Sequence, residues 1–326
     1  MKVVVTREIP QNGLELLKKQ FGEDLTIHPG EPMSDPELKA FVQGADAILC
    51  LLTDKITPEV LGSAGSNLKI VANMAVGLDN IDIKSATDKG VVITNTPGVL
   101  TEAVGEHALA LLMSVARRIV ESDKFMRTGK FKHWEPLMFL GPQLSGKTLG
   151  IVGLGRIGNY FAKICKTAFD MKIVYYDVQR NDAFENEFSA AYSNLDGVLK
   201  VSDFVSIHVP LLPSTHHLIS EKELKIMKPT AILINTSRGP VIDEVALVKA
   251  LKEKWIDGAG LDVFEFEPKL TEGLAELDNV ILTPHTASAT KEARNEMSRL
   301  AAQSIVDVIV NKKTPENIVN KDVQIK

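Results

Sequence analysis

Residues 148–158 read Thr-Leu-Gly-Ile-Val-Gly-Leu-Gly-Arg-Ile-Gly, and Asp177 closes a later apolar run, Ile173-Val174-Tyr175-Tyr176. The first five residues have strand character, and Ile157 to Ala168 has the spacing of a helix. Gly153, Gly155 and Gly158 occupy the turn between them. Three glycines alone mark only a flexible loop. Placed between a strand and a helix, they let a pyrophosphate approach the backbone and rest on the positive helix end. An acidic residue is expected about 20 positions further on, to accept hydrogen bonds from the adenosine ribose. Asp177 meets that expectation, and its charge would repel a 2'-phosphate. The segment therefore reads as a site for NAD, with NADH favoured over NADPH. Arg180 lies close enough in sequence to soften the repulsion.

Working outward, short β-branched runs alternate with helical patterns along the chain, which argues for parallel sheets with crossover helices. Upstream strand candidates are Val3–Val5, Ala47–Leu51, Ile70–Asn73 and Val91–Thr94, with helices expected over 13–20, 35–43, 58–64 and 83–89. Pro36 and Pro58 suit first-turn positions behind the potential caps Asp35 and Thr57. The turn-rich Asn95-Thr96-Pro97-Gly98 leads into one long helical pattern, Thr101–Val120. Downstream strands are expected at Thr148–Val152, Lys172–Tyr176, Phe204–His208, Ala231–Asn235, Gly258–Leu261 and Val280–Leu282, and a last helix over 290–311. Asp182–Asn194 reads as a polar surface loop.

Composition narrows the function classes. The chain has 326 residues, 44% hydrophobic and 24% charged, with 37 Lys and Arg against 42 Asp and Glu for a net charge of −5. This is a globular composition without the basic stripe that nucleic acid binding requires. Lys18-Lys19 and Lys312-Lys313 read as solvated helix faces. Cys50 and Cys165 sit within apolar runs and read as small buried hydrophobes, which suits a reducing compartment. No Cys/His spacing indicates a metal, and no apolar run reaches the roughly 18 residues of a membrane span. A cytoplasmic enzyme acting on a small molecule is the expectation.

Further motifs follow in order: His208-Val209-Pro210-Leu211, Asn235-Thr236-Ser237-Arg238-Gly239, Gly260-Leu261-Asp262-Val263-Phe264-Glu265 with Glu267-Pro268, and Pro284-His285-Thr286-Ala287-Ser288. With the glycine turn, these make the chain resemble the D-isomer-specific 2-hydroxyacid dehydrogenase family over essentially its whole length. Within that family it is most similar to glyoxylate/hydroxypyruvate reductases, through Leu51-Leu52-Thr53-Asp54, Trp134-Glu135-Pro136 and Phe139-Leu140-Gly141. The resemblance implies an α/β architecture of two doubly wound parallel-sheet domains. A Rossmann cofactor domain would span 100–285, and a flavodoxin-like substrate domain would combine 1–99 with 286–326. It also implies a homodimer, for which Thr101–Val120 and Trp134–Leu140 are candidate surfaces or else intrachain core.

The same resemblance implies a catalytic set of Arg238, Glu267 and His285. The chemistry agrees, because reducing a 2-oxo acid needs a cation, a hydride donor and a proton. Arg238 offers a planar donor fork for the carboxylate and carbonyl. Reduced nicotinamide carries the hydride. His285 can donate a proton near neutral pH, with Glu267 orienting it and favouring its charged form. Glu267 is preferred over Glu265 because the family's acid precedes the proline. Cofactor contacts carried over are Arg156 and Ile157 at the pyrophosphate, Thr236 and Arg238 near the nicotinamide, Asp262 at the carboxamide or else bracing its neighbours, and His285 and Ser288 beside the ring. Substrate contacts are Leu52 as a pocket wall and the turn Val76-Gly77, whose N–H groups can face an anion; Met74 and Leu78 stand where many relatives carry aromatics. His107 reads as a packed helix histidine, and His28, His133, His216 and His217 as solvent-facing. A D-lactate-type or phosphoglycerate-type dehydrogenase, or an NAD-sensing binding protein, are the alternative readings.

Overall fold

Five strands of the computed structural model, which describes residues 1–323, are β1 (Val3–Val5), β2 (Leu25–Ile27), β3 (Ala47–Cys50), β4 (Ile70–Asn73) and β5 (Val92–Thr94). They form one parallel sheet in the order β2-β1-β3-β4-β5. This is the flavodoxin-like order, whose direction of growth reverses between β1 and β3. Seven more strands are β6 (Thr148–Val152), β7 (Lys172–Tyr176), β8 (Ala191–Tyr192), β9 (Phe204–Ile207), β10 (Ile232–Asn235), β11 (Gly258–Leu261) and β12 (Val280–Leu282). They form a second parallel sheet ordered β12-β11-β10-β9-β6-β7-β8, which reverses between β6 and β9. That is the Rossmann order with an added edge strand. Two compact units result, one of Met1–Leu100 with the chain from Ala289 onward, the other of Thr101–Ser288.

Parallel strands are covered on both faces, so their side chains read as continuous apolar runs. β6 and β10 show why. Leu149 and Ile151, with Ile232 and Ile234, enter the core beneath helix Thr101–Ala116 and helix Arg156–Phe169. Val152 and Leu233 enter the opposite core with Leu247 and Leu251 of helix Glu244–Lys252. Each such side chain, fully buried, contributes roughly 1.5–3 kcal/mol. The strands are thereby fixed as a rigid platform whose carboxyl ends carry loops.

The C-terminal segment completes the first unit. Ser298 on helix Lys291–Ile309 donates to Pro10 O at 2.7 Å and accepts the Gly13 N–H at 3.0 Å. Asn320 then reaches the edge strand, accepting from Ile93 N at 2.8 Å and donating to Val91 O at 2.8 Å. Val319 N–H adds a bond to Ile93 O at 2.8 Å. This tail covers an otherwise open sheet edge.

Several local expectations are corrected. The 101–120 pattern is two helices, Thr101–Ala116 and Ile119–Arg127, because Arg118 turns left-handed at φ 51 while its guanidinium pairs with Glu121. The supposed loop 182–194 holds helix Asp182–Phe188 and β8. Phe184 and Phe188, at i and i+4, pack with ring centroids 4.8 Å apart, and Phe184 meets Tyr175 of β7 edge-on. At Asp35 the helix cap is instead Ser34, whose N–H and hydroxyl both donate to Glu37. Thr57 does cap its helix, at 3.4 Å from Val60 N. Strand β2 and the short helices Leu195–Val201 and Glu221–Ile226 were too brief to stand out in the periodicity.

Candidate active site

The glycine turn leaves β6 at the point where the second sheet reverses. Gly153 has φ 96, and a Cβ there would lie 2.8 Å from the His208 carbonyl carbon. At Gly158 a Cβ would sit 2.1 Å from Gly153 O. Only glycine fits either position. Gly155, by contrast, faces open space at the cap of helix Arg156–Phe169. Exposed Arg156 and half-buried Ile157 form the first helical turn. Asp177 follows β7 and accepts the Leu154 N–H at 2.7 Å and the Gln179 N–H at 3.2 Å. Its carboxylate therefore braces the turn while remaining half-exposed. Arg180 is paired elsewhere, with Glu185 at 2.9 and 2.6 Å.

The segment after β10 is organised by a residue whose role no sequence pattern marks. Buried Asn235 accepts from Ser237 N–H at 3.0 Å and Ser237 Oγ at 2.8 Å, and donates to Arg238 O at 2.9 Å. That side chain folds the Asn-Thr-Ser-Arg turn. Thr236 is half-buried, and its hydroxyl is enclosed without a hydrogen-bond partner, an orphan that a ligand group can satisfy. Arg238 Nη1 donates to Ser237 O at 2.8 Å.

Glu267 and His285 come from the loops after β11 and β12. His285 Nδ1 lies 3.1 Å from Glu267 Oε2, with the side chains 25% and 35% exposed. The other Glu267 oxygen accepts the Phe264 N–H at 3.0 Å. Burial pushes the Glu267 carboxyl up, but it is outweighed by the His285 and Phe264 hydrogen bonds and the positive charges of His285 and Arg238, so its pKa is lowered. The carboxylate is ionised at neutral pH, and His285 Nδ1 is the donor.

Asp262 is fully buried. Its Oδ1 accepts from Thr283 Oγ1 at 2.6 Å and Thr286 N at 2.8 Å, and its Oδ2 from Ala287 N at 2.7 Å. His107 Nε2 lies 3.4 Å from Oδ1 and 3.0 Å from Thr283 Oγ1. Desolvation raises the Asp262 carboxyl, yet these bonds hold it below its ordinary value. The side chain braces the loop that presents His285, whose own N–H donates to Asp262 O at 2.8 Å. His107 is thus a hydrogen-bonded member of the site's support. Ser288 closes the segment, half-buried.

In the first unit, Leu52 is half-buried after β3, and Val76-Gly77 follows β4. Asn95 Nδ2 holds Val76 O at 2.8 Å, and Asn73 Nδ2 holds Gly77 O at 2.9 Å. Fixing those carbonyls fixes the peptide planes, so the Gly77 and Leu78 N–H groups point away from the two asparagines. Met74 is core, leaving half-buried Leu78 as the variable position of this turn.

Among the described residues, His216, His217 and Glu265 bring possible ligand atoms within 4.8 Å of one another. The two histidine rings lie 4.1 Å apart with their planes tilted by 30°. His217 is half-buried and bonded to Glu265 at 2.7 Å, contrary to its expected solvent-facing role.

The profile of the D-isomer specific 2-hydroxyacid dehydrogenase family, NAD binding domain, matches residues 109–287. The chain is 53% identical to a glyoxylate reductase of Thermococcus litoralis over 99% of its length and 97% of that protein's. It is 48% identical to a glyoxylate reductase of Pyrococcus furiosus over 99% of its length and 96% of that protein's. Among solved structures, a Thermus thermophilus protein aligns with a TM-score of 0.91 at 39% identity, over 98% of this chain and 100% of that one. An NADPH-dependent glyoxylate/hydroxypyruvate reductase of Sinorhizobium meliloti, solved with NADP and malonate, aligns with a TM-score of 0.88 at 31% identity, over 100% of this chain and 98% of that one.

One half-buried histidine at the glycine turn carries a stability signature. His208 donates to or accepts from Ser206 Oγ at 2.8 Å and packs on Phe161. Burial holds its imidazole down from 6.5 to about 3. In the unfolded chain it protonates near its ordinary value, so the native state is penalised increasingly as pH falls below that value. Between pH 7 and pH 5 the penalty grows by about 2 kcal/mol. Urea unfolding at the two pH values should show His208→Gln losing less stability on acidification than wild type, by about that amount. Equal losses would show that His208 does not titrate on unfolding.

Proposed function

Because the chain belongs to the D-isomer-specific 2-hydroxyacid dehydrogenase family, we propose that it reduces a short 2-oxo acid, glyoxylate or hydroxypyruvate, to the D-2-hydroxy acid with NADH. The observation that carries this reading is the 3.1 Å pairing of His285 Nδ1 with an ionised Glu267, within range of the Arg238 charge. Nδ1 is committed to the carboxylate, so Nε2 is the nitrogen that delivers a proton to the oxygen of the reduced carbonyl. Arg238 holds the substrate carboxylate and polarises the carbonyl. Gly77 N–H assists at the carboxylate, and Leu52 and Val76 form apolar wall. Asp262 acts as a positioning residue, through the loop that it braces. When bound, the nicotinamide supplies the hydride.

The turn Gly153–Gly158 fits a pyrophosphate, since open space lies at Gly155 above the helix N-terminus. Arg156 and Ile157 flank it, Thr236 offers its enclosed hydroxyl near the nicotinamide, and Ser288 lies beside the ring. NADH over NADPH is supported by Asp177 at the end of β7 and by Arg180 being held by Glu185 rather than standing ready for a 2'-phosphate. The S. meliloti neighbour, by contrast, is NADPH-dependent.

A homodimer is supported by the run from Ile119 to Leu140. Trp134, Leu137 and Leu140 are 78%, 80% and 62% exposed, and Ile119 and Met126 more than half. So large an apolar surface is rare on a monomer. No helix of the described residues is long and apolar enough to cross a membrane. The two buried free thiols support a cytoplasmic placement.

Loss of NADH absorbance across a panel of 2-oxo acids tests the activity, and silence across the panel defeats it. His285→Ala should lower kcat by about 10²–10⁴ with NADH affinity nearly unchanged; equal loss of both contradicts its role. Asp177→Ala should lower the NADH/NADPH ratio of kcat/KM at least ~tenfold, and an unchanged ratio removes the ribose assignment. Light scattering should find two copies in solution and one copy for Leu137→Asp; a monomeric wild type refutes the dimer.

A further inference from the structure

We infer that His217 and Glu265 form a positioning clip that sets the backbone carrying both Arg238 and Glu267, an inference that rests on the roles proposed for those two residues. Glu265 is 11% exposed, and its Oε1 lies 2.7 Å from His217 Nε2. Its other oxygen accepts the N–H of Glu244, the first residue of helix Glu244–Lys252, at 3.1 Å. The Glu265 N–H returns a bond to Glu244 Oε1 at 2.7 Å, and Thr271 Oγ1 donates to Glu244 Oε2 at 2.6 Å. A carboxylate thus sits at the positive end of that helix while its own backbone is gripped by the helix's first side chain.

The histidine side of the clip reaches the arginine turn. His217 N–H donates to Pro240 O at 2.8 Å, and Ile219 N–H to Val241 O at 3.1 Å, in the segment directly after Arg238. His217 holds φ 49, a left-handed conformation unfavourable for a residue with a Cβ. The bonds on both sides keep it there. The arginine turn in turn rests on the acid's backbone. A Cβ at Gly239 would lie 1.9 Å from the Phe264 carbonyl carbon and 2.4 Å from Glu265 N, so main chain lies directly on main chain. Phe264 N–H is the group that orients Glu267 Oε1, at 3.0 Å. A shift of Glu265 therefore moves Phe264, and with it both the turn that presents Arg238 and the carboxylate that orients His285.

The length of the donor tests this. His217→Gln keeps an N–H at about the reach of Nε2, whereas His217→Asn is one methylene shorter and leaves Glu265 without it. His217→Asn should lower kcat for glyoxylate about 10- to 100-fold, with the NADH Kd from fluorescence titration within about twofold of wild type. His217→Gln should restore kcat to within about threefold of wild type, and Glu265→Asp, which withdraws the acceptor, should reproduce the Asn variant. A wild-type kcat in His217→Asn overturns the clip, as does a Gln variant as impaired as Asn, or kcat and NADH affinity falling together. Glu267→Gln and His285→Ala measured alongside separate the two levels. If they lose activity while His217→Asn does not, the clip alone fails; if they keep it, the assignment beneath the clip fails with it.

Discussion

The contact between His285 and Glu267 depends on a carboxylate that is buried away from solvent. Asp262 lies at the end of β11 with no exposed surface, where an isolated charge would cost several kcal/mol. It is tolerated because Thr283, Thr286 and Ala287 all donate to it within 2.6–2.8 Å. Those three donors belong to the segment around His285. Satisfying the charge and shaping the histidine loop are one event, which explains why His285 can be held at φ 53, outside the range most residues prefer. His107, reaching in from the first helix of its unit, adds a further partner at 3.4 Å. Loop precision here comes from an electrostatic requirement of the sheet's interior.

The sheet itself supplies the second constraint. Parallel strands deliver every connection to one edge, and the order of the second sheet reverses between β6 and β9. At that reversal neighbouring connections diverge and leave a crevice. The glycine turn ends β6 there, pressed on the His208 backbone that ends β9. Further along the same edge, β10, β11 and β12 deliver Arg238, Glu267 and His285 in turn. The first sheet reverses between β1 and β3, beside the loop that carries Leu52. There Asp54 accepts from Thr6 at 2.5 Å and from Leu51 N at 2.7 Å, so this loop too is shaped by a buried acid.

How much of this could be read from the chain follows from how local each feature is. The glycine turn was legible because strand, turn and helix are contiguous, and the position of Asp177 follows from the length of one βα unit. The inner strands of both sheets were legible because strands covered on two faces leave unbroken apolar runs, whereas the short edge strands β2 and β8 were not. Helix 182–188 was not, since its polar residues conceal two aromatics whose spacing matters only once Tyr175 lies beneath them. The roles of Asn235 and His107 were hidden for a related reason. Each is a polar residue whose partner is set by tertiary packing, and no periodicity marks the difference between a side chain bonded to solvent and one bonded to a loop 176 residues away.

The segment Phe264-Glu265-Phe266-Glu267-Pro268 shows what decides between two chemically identical groups. Its two acids stand two residues apart, and each meets a histidine, Glu265 at 2.7 Å and Glu267 at 3.1 Å. Composition cannot separate them, and the proline motif separates them only through the family resemblance. Their surroundings differ in kind. Glu265 is 11% exposed and spends its second oxygen on a helix N-terminus, while its partner His217 is 35% exposed. Glu267 and His285 are 35% and 25% exposed, and the histidine keeps a second nitrogen beyond the pair. The charge of Arg238 beside Glu267, rather than the exposure of either histidine, is the property that favours 267/285 as the pair proposed for chemistry and 265/217 as the pair proposed to hold it in place.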